Sequence, residues 1–335
     1  MKTRLSWNIA KNEVFFFFII LIIYSCQINS TKNHQSPIDS LNVVLTNDPN
    51  DVDALVQKSK ILLESGNYIE AKNVIDKAYK IFKNDMSVLF LRGEIYFKLN
   101  KTSISKKSWE RCISNDPNNI PCREKLTNLY CLVRDKDCLN MIDTLSKINQ
   151  GMISFDLISH LRELKKYAKS IKYLEAHLEK KPNSREALSL LSLIHSDTTL
   201  NNAHYDEELA EIFFKKIIEL YPDYFQVYYN YGMFYQNKND FIEAVKIYKV
   251  GAEIDKESKY INYNIGFCLL KLELYDESVS YFTRSIEIDN SFLLAFHGRA
   301  YAYTLNKEYD LADADWKNCL MLNPSYIPAL EGLSE

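Results

Sequence analysis

The side chains able to do chemistry are present in this chain, but they are scattered. Six histidines, His34, His160, His177, His195, His204 and His297, stand far apart. None falls in a His-Glu-x-x-His pattern and none lies beside a cysteine pair at zinc spacing, so no zinc hydrolase or zinc-finger motif is encoded. No Gly-x-Ser-x-Gly turn exposes a serine nucleophile. The eight glycines are too dispersed to cradle a phosphate. The acidic pairs Glu207–Glu208 and Asp313 with Asp315 read as solvated helix faces, and His195 reads as a buried histidine rather than a ligand. Four cysteines, Cys112, Cys122, Cys131 and Cys138, cluster at spacings of 10, 9 and 7. Without a Cys-x-x-Cys that pattern disfavours a four-thiolate metal site; disulfides and small buried residues stay open. The expectation is a protein that is not an enzyme and uses no cofactor or metal.

The elements that would position these residues are helices. The chain has 335 residues, 47% of them hydrophobic and 25% charged, which suits a folded protein of two domains or one extended array. Its 41 basic and 44 acidic residues give a net charge of −3. That balance argues against a nucleic-acid partner. Eight glycines and eight prolines are too few for the turns of a sandwich or barrel or the loops of an α/β fold. A mainly helical protein remains.

Prolines set a period. Pro49 and Pro117 are 68 residues apart, and Pro222 and Pro324 are 102 apart, two and three times 34. Trp109 and Trp316 each stand eight residues before such a proline. Units begin at Val52, Met86, Ile120, Gly151, Arg185, Phe225, Lys259 and Leu293. Their eighth residues are Ser59, Gly93, Thr127, Ile158, Ser192, Gly232, Gly266 and Ala300, small in all but one case. Position 20 reads Ala71, Ser105, Leu139, Ser170, Ala210, Ala244, Ser278 and Ala312. Position 24 is large and apolar in Ile75, Trp109, Leu174, Phe214, Tyr248, Phe282 and Trp316, with Asp143 the misfit. This pattern resembles the tetratricopeptide repeat, a helix–turn–helix unit. The resemblance covers residues 36–335 and implies an all-α, right-handed superhelical solenoid of about eight helix pairs. The units run 52–85, 86–119, 120–150, 151–184, 185–224, 225–258, 259–292 and 293–326. A lone helix precedes them from Pro37, and a closing helix follows at 327–335. The third unit is three residues short; the fifth is six long, with a polar insertion from Ser196 to His204.

Laid on these units, Cys131 ends a first helix and Cys138 starts the second across a short turn. Cys112 and Cys122 face each other across a junction between units. A bridge within each pair is geometrically reasonable. The resemblance also implies that positions 2, 5, 9, 12 and 13 of each first helix line an inner groove. Tyr229, Met233, Gln236, Tyr260, Tyr263, Phe267 and Tyr301 occupy such positions in the last three units, as do Phe90 and Phe97 in the second and Phe155 in the fourth. An aromatic, nearly uncharged surface suits a protein or peptide partner. The lysine clamp with which chaperone-binding members hold a C-terminal carboxylate is absent, since position 5 reads Tyr229, Tyr263 or His297. Stacking of a glycan on the same aromatics is the alternative.

The N-terminus carries an address. A basic start with Lys2, Arg4 and Lys11 leads into an apolar run from Val14 to Tyr24. Eleven residues rise about 16 Å as a helix, half of a hydrocarbon core, as in a signal peptide. The run ends Ile23-Tyr24-Ser25-Cys26, which resembles the lipobox of bacterial lipoproteins. By that resemblance residues 1–25 are a cleaved leader, Cys26 is lipidated and residues 26–35 are a flexible tether. The implied product is a membrane-anchored envelope lipoprotein, in the outer membrane and facing the periplasm. It would act as a scaffold or adaptor for a protein or peptide partner.

Overall fold

The computed structural model describes residues 36–134, 136–199 and 202–333, and among these are eighteen helices and no strand. The leader, Cys26 and the tether lie outside the described residues. A lone α1 (Pro37–Asn47) precedes the pairs α2 (Val52–Glu64) with α3 (Tyr68–Ile81), and α4 (Met86–Lys98) with α5 (Thr102–Asn115). Next come α6 (Ile120–Leu132) with α7 (Cys138–Ile148), and α8 (Phe155–Glu163) with α9 (Tyr167–Lys180). Then follow α10 (Arg185–His195) with α11 (Glu207–Leu220), and α12 (Phe225–Asn237) with α13 (Phe241–Ile254). The last pairs are α14 (Lys259–Lys271) with α15 (Tyr275–Ile288), and α16 (Leu293–Leu305) with α17 (Tyr309–Leu322), closed by α18 (Ile327–Gly332). The chain divides into two compact units, one ending at Leu129 and one beginning at Tyr130.

The period is a packing rule. The large residue at position 24 is buried in seven of the pairs, from Ile75 to Trp316. Where it is aromatic, a glycine often makes room for it. A Cβ at Gly93 would stand 2.1 Å from Trp109, and one at Gly232 would stand 2.4 Å from Tyr248. Phe282 lies between Gly266 of its own pair and Gly298 of the next, at 2.9 and 2.5 Å from their missing Cβ atoms. One ring thus joins its own first helix to the next first helix, and close approach at a small residue is what allows it.

Turns repeat as faithfully. Inside seven pairs the fifteenth residue is left-handed: Gly66, Asn100, Arg134, Lys165, Asn239, Glu273 and Lys307. In six of these the next amide reaches back to the first helix, as in Lys101 N–H to Tyr96 C=O at 2.9 Å and Leu274 to Leu269 at 3.0 Å. This is the six-to-one bond that closes a helix C-terminus. Between pairs, Asp48, Asp116, Asp255, Asp289 and Asn323 each accept a hydrogen bond from the backbone two residues on. Such side-chain turns favour a break in the helix there.

Two pairs depart from the rule. α7 has 11 residues where the other second helices have 14, so the third unit's missing residues come out of its second helix. Its register also slips by one. Cys138 and Ile142, four apart, are buried in place of Leu139 and Asp143, and the Asp143 carboxylate instead meets Lys169 at 2.8 Å. In the fourth pair the first helix starts at Phe155, four residues after Gly151, because Gln150 and Gly151 are both left-handed.

The described residues of the fifth pair's insertion are tied down. Tyr167 donates to Asp197 at 2.5 Å, and Lys165 donates to Thr199 at 2.6 Å. Asn202 donates to the carbonyls of Ile194 and Asp197 at 2.8 and 2.9 Å. His195 is buried, with Nδ1 2.7 Å from the carbonyl of His204 and its ring stacked on Phe213.

Candidate functional site

The first helices α12, α14 and α16 carry most of the candidate groove residues, and their side chains fall into two groups. Met233, Tyr260 and Tyr301 are exposed, the tyrosines by 53% and 47%, and Leu294 and Leu305 are exposed beside them. These apolar groups face solvent, although the Tyr260 ring also meets Phe292 edge-on at 5.5 Å. Tyr229, Tyr263, Phe267 and Gln236 are half-buried and already engaged within the array. The ring of Tyr263 lies 5.7 Å from Phe282 and 5.5 Å from Phe292, and burial raises its hydroxyl pKa. Tyr229 tilts against Phe225 and Tyr248, each at 6.4 Å. Phe267 meets Phe241 edge-on, and the Lys271 ammonium sits 5.5 Å from its ring. Gln236 is turned inward: its carbonyl accepts from Tyr248 at 3.0 Å and from the Cys268 thiol at 3.6 Å. In the unit that ends at Leu129, Phe97 leans on Trp109 at 6.2 Å, and the Phe90 carbonyl accepts from the Trp109 indole at 3.3 Å.

The charged core of the array is a pair of arginine clamps. Arg299 at position 7 donates twice to Asp315 at 2.7 and 2.8 Å and once to Thr283 of the preceding pair at 2.9 Å. Arg92, at the same position of the second pair, donates to Asp76 of the preceding pair at 3.2 Å and to Ser108 at 2.8 Å. The acid has exchanged places between positions 23 and 25, but the arginine bridges two second helices in both. Asp315 is therefore buried, with 2% exposure, and is not the solvated acid expected from its neighbourhood. Arg92 and Arg299 each stand seventeen residues before a tryptophan, Trp109 and Trp316, and that shared spacing is the signal in the sequence. Both guanidinium groups are satisfied, so neither clamp offers a reacting group.

Disulfides join Cys112 to Cys122, with Cα atoms 6.4 Å apart, and Cys131 to Cys138, at 4.8 Å. The first ties α5 to α6, and the second closes the turn between α6 and α7. Cys268 and Cys319 are free but buried, and burial pushes both thiols up to about 12. At neutral pH they are protonated and poor nucleophiles. Among the described residues no group of three His, Cys, Asp or Glu side chains is placed to hold a metal ion.

Four segments, residues 52–85, 87–119, 213–246 and 260–292, match models of the tetratricopeptide repeat. These segments are tetratricopeptide repeats. No curated protein matches the sequence. Among solved structures, the C-terminal part of a tetratricopeptide-repeat protein from Cytophaga hutchinsonii is 18% identical, over 83% of this chain and 99% of that one, with a TM-score of 0.47. A tetratricopeptide repeat protein from Parabacteroides merdae is 15% identical over 84% and 97%, also with a TM-score of 0.47. A chain of the APC/C hetero-tetramer Cut9–Hcn1 is 16% identical over 89% of this chain, with a TM-score of 0.48. This chain spans about half, 51%, of that one.

Proposed function

We propose that this protein is a non-catalytic scaffold that holds a protein or peptide partner at a bacterial envelope membrane through a lipid on Cys26. The observation that carries the binding half is the row of exposed apolar side chains on successive first helices, Met233, Tyr260, Leu294, Tyr301 and Leu305. Exposed aromatic and aliphatic groups in series are costly to leave in water and suit anchoring of a polypeptide. The envelope half is supported by the lipobox-like run before Cys26 and by paired cysteines, which persist in oxidising compartments. Among the described residues no helix is long and apolar enough to cross a membrane. The function would be local concentration, with the tether holding the repeats near the bilayer and the repeats recruiting the partner.

The test has two arms. Cys26→Ser should abolish incorporation of labelled fatty acid and release the protein from membranes; continued membrane fractionation would remove the lipid anchor from the proposal. Photocrosslinkers placed at 260 and 301 in the native membrane should capture one discrete partner, and Tyr260→Ala with Tyr301→Ala should lose it. Both residues are exposed, so helical content should not change. Equal recovery of that partner by the folded double variant would overturn the binding face.

A further inference from the structure

Between the fourth and fifth repeats, within the unit that begins at Tyr130, lies a cleft of about 650 Å³. Its floor is apolar: Met152 just before α8, Phe155 at its start and Tyr221 at the cap of α11, all half-buried. Its rim is cationic: Lys180 and Lys181 at the end of α9 and Arg185 in the first turn of α10, all exposed. The chain as a whole is acidic, so composition does not produce three cations around one cleft.

The walls are built rather than incidental. His177 places Nε2 2.8 Å from the Ile153 carbonyl, and its ring lies 4.5 Å from Phe155, which fixes the floor. Tyr221 donates to the Asn183 carbonyl at 2.5 Å and Lys216 donates to the Pro182 carbonyl at 3.3 Å, which fixes the turn that carries Lys181 toward Arg185. The Arg185 guanidinium stacks 4.6 Å from the Tyr224 ring. One acid lines the cleft, Glu186, whose carboxylate a hydrogen bond from its own backbone N–H holds below the usual range, with Arg185 3.1 Å away adding to it. Lys180 and Lys181 make no ion pair with a described residue. Two uncompensated charges therefore stand over half-buried carbon.

We propose that this cleft binds an acidic segment of a polypeptide partner, one apolar side chain resting on Met152, Phe155 and Tyr221 while flanking carboxylates meet Lys180, Lys181 and Arg185. The proposal rests on the reading of the array as a polypeptide-binding scaffold, but not on the face that carries Tyr260 and Tyr301. A free anion would use the rim and leave the floor unused. An anionic bilayer would meet the lysines and not reach the half-buried rings. An extended peptide reaches both, and charge complementarity selects an acidic one.

The experiment uses the full chain and a fluorescein-labelled heptapeptide with one phenylalanine between acidic flanks, read by fluorescence anisotropy. Controls are the same peptide with every acid replaced by its amide, and with the phenylalanine replaced by glycine. The acidic peptide should bind about tenfold tighter than either control and weaken as salt rises. Lys180→Glu with Lys181→Glu should remove that advantage, Glu186→Gln should tighten binding about threefold, and the exposed, distant Lys256→Glu should change nothing. Circular dichroism checks that the variants stay folded. Equal binding of acidic and amide peptides, or wild-type binding by the folded double variant, overturns the proposal. So does a double variant that loses binding to phosphatidylglycerol vesicles while the peptide remains bound. If the partner captured through residues 260 and 301 is lost on their truncation while the cleft variants leave the peptide unaffected, the scaffold stands and the cleft falls.

Discussion

The sixth to eighth repeats and the third repeat join their helices by different means. In the later repeats an aromatic ring fills the space beside a glycine: Tyr248 at Gly232 and Phe282 between Gly266 and Gly298. The third repeat has no such ring. Its second helix is three residues shorter and buries Cys138 and Ile142, while bridges at Cys112–Cys122 and Cys131–Cys138 tie α6 to the helices on either side in sequence. Packing holds one region, and covalent closure supplements it in the other. Stability in a repeat array is approximately a sum over units and their neighbours. The two regions should therefore respond to different perturbations.

The largest expected effect is on packing. Phe282 is wholly buried, and Phe282→Ala should cost about 3–5 kcal/mol because two glycines cannot close the space a ring leaves. Hydrogen exchange should show α14 to α16 losing protection while α6 and α7 keep theirs. Loss spread evenly along the chain would mean that the repeats unfold as one body and the regional contrast is wrong.

The next effect is covalent. Reducing agent should open both bridges of the third repeat, and Cys131→Ser with Cys138→Ser should reproduce only the share of the short Cys131–Cys138 loop, about 2 kcal/mol. Exchange in residues 225–322 should not change. Counting thiols in denaturant without reductant checks the premise: two free thiols are expected in a chain whose Cys26 is lipidated, from Cys268 and Cys319.

Much of this architecture is legible in the sequence, for identifiable reasons. Scarce glycine and proline leave little but helix, and prolines in a phase of 34 mark the breaks between pairs. Small residues at position 8 opposite large ones at position 24 predict the packing, since close approach demands that pairing. Other features depend on where a helix starts. Shortening α7 moves the buried residues from Leu139 and Asp143 to Cys138 and Ile142, and a fixed phase does not show that slip. Groove residues were legible by position but not by orientation. Gln236 occupies an inner position yet turns to Tyr248 and Cys268, and Tyr263 is enclosed by Phe282 of its own second helix and by Phe292, the last residue of its repeat and the cap of α16. The cationic cleft was not legible, because Lys180, Lys181 and Arg185 belong to two helices that the turn at 182–184 folds together. Nor were most of the left-handed turns, since only Gly66, Asn100 and Asn239 among their occupants favour that conformation.

Those turns supply the smallest and sharpest test of the contrast. Arg134 in the third repeat and Glu273 in the seventh occupy the same left-handed position, with φ of 54° and 62°. A left-handed side chain costs about 1–2 kcal/mol. Replacement by glycine removes that penalty but gives the unfolded chain more freedom to lose, about 0.5–1 kcal/mol. Glu273→Gly should therefore stabilise its repeat by about 0.5 kcal/mol. At Arg134 the Cys131–Cys138 loop already restricts the unfolded chain, so glycine adds less freedom there. Arg134→Gly should then gain a few tenths of a kcal/mol more than Glu273→Gly while the bridge is closed. On reduction the excess should vanish and the two gains converge. Urea unfolding of both variants, with and without reductant, measures all four values. A gain at Arg134 that ignores reduction would show that the bridge does not act through the unfolded chain, and that the third repeat relies on its packing as the later ones do.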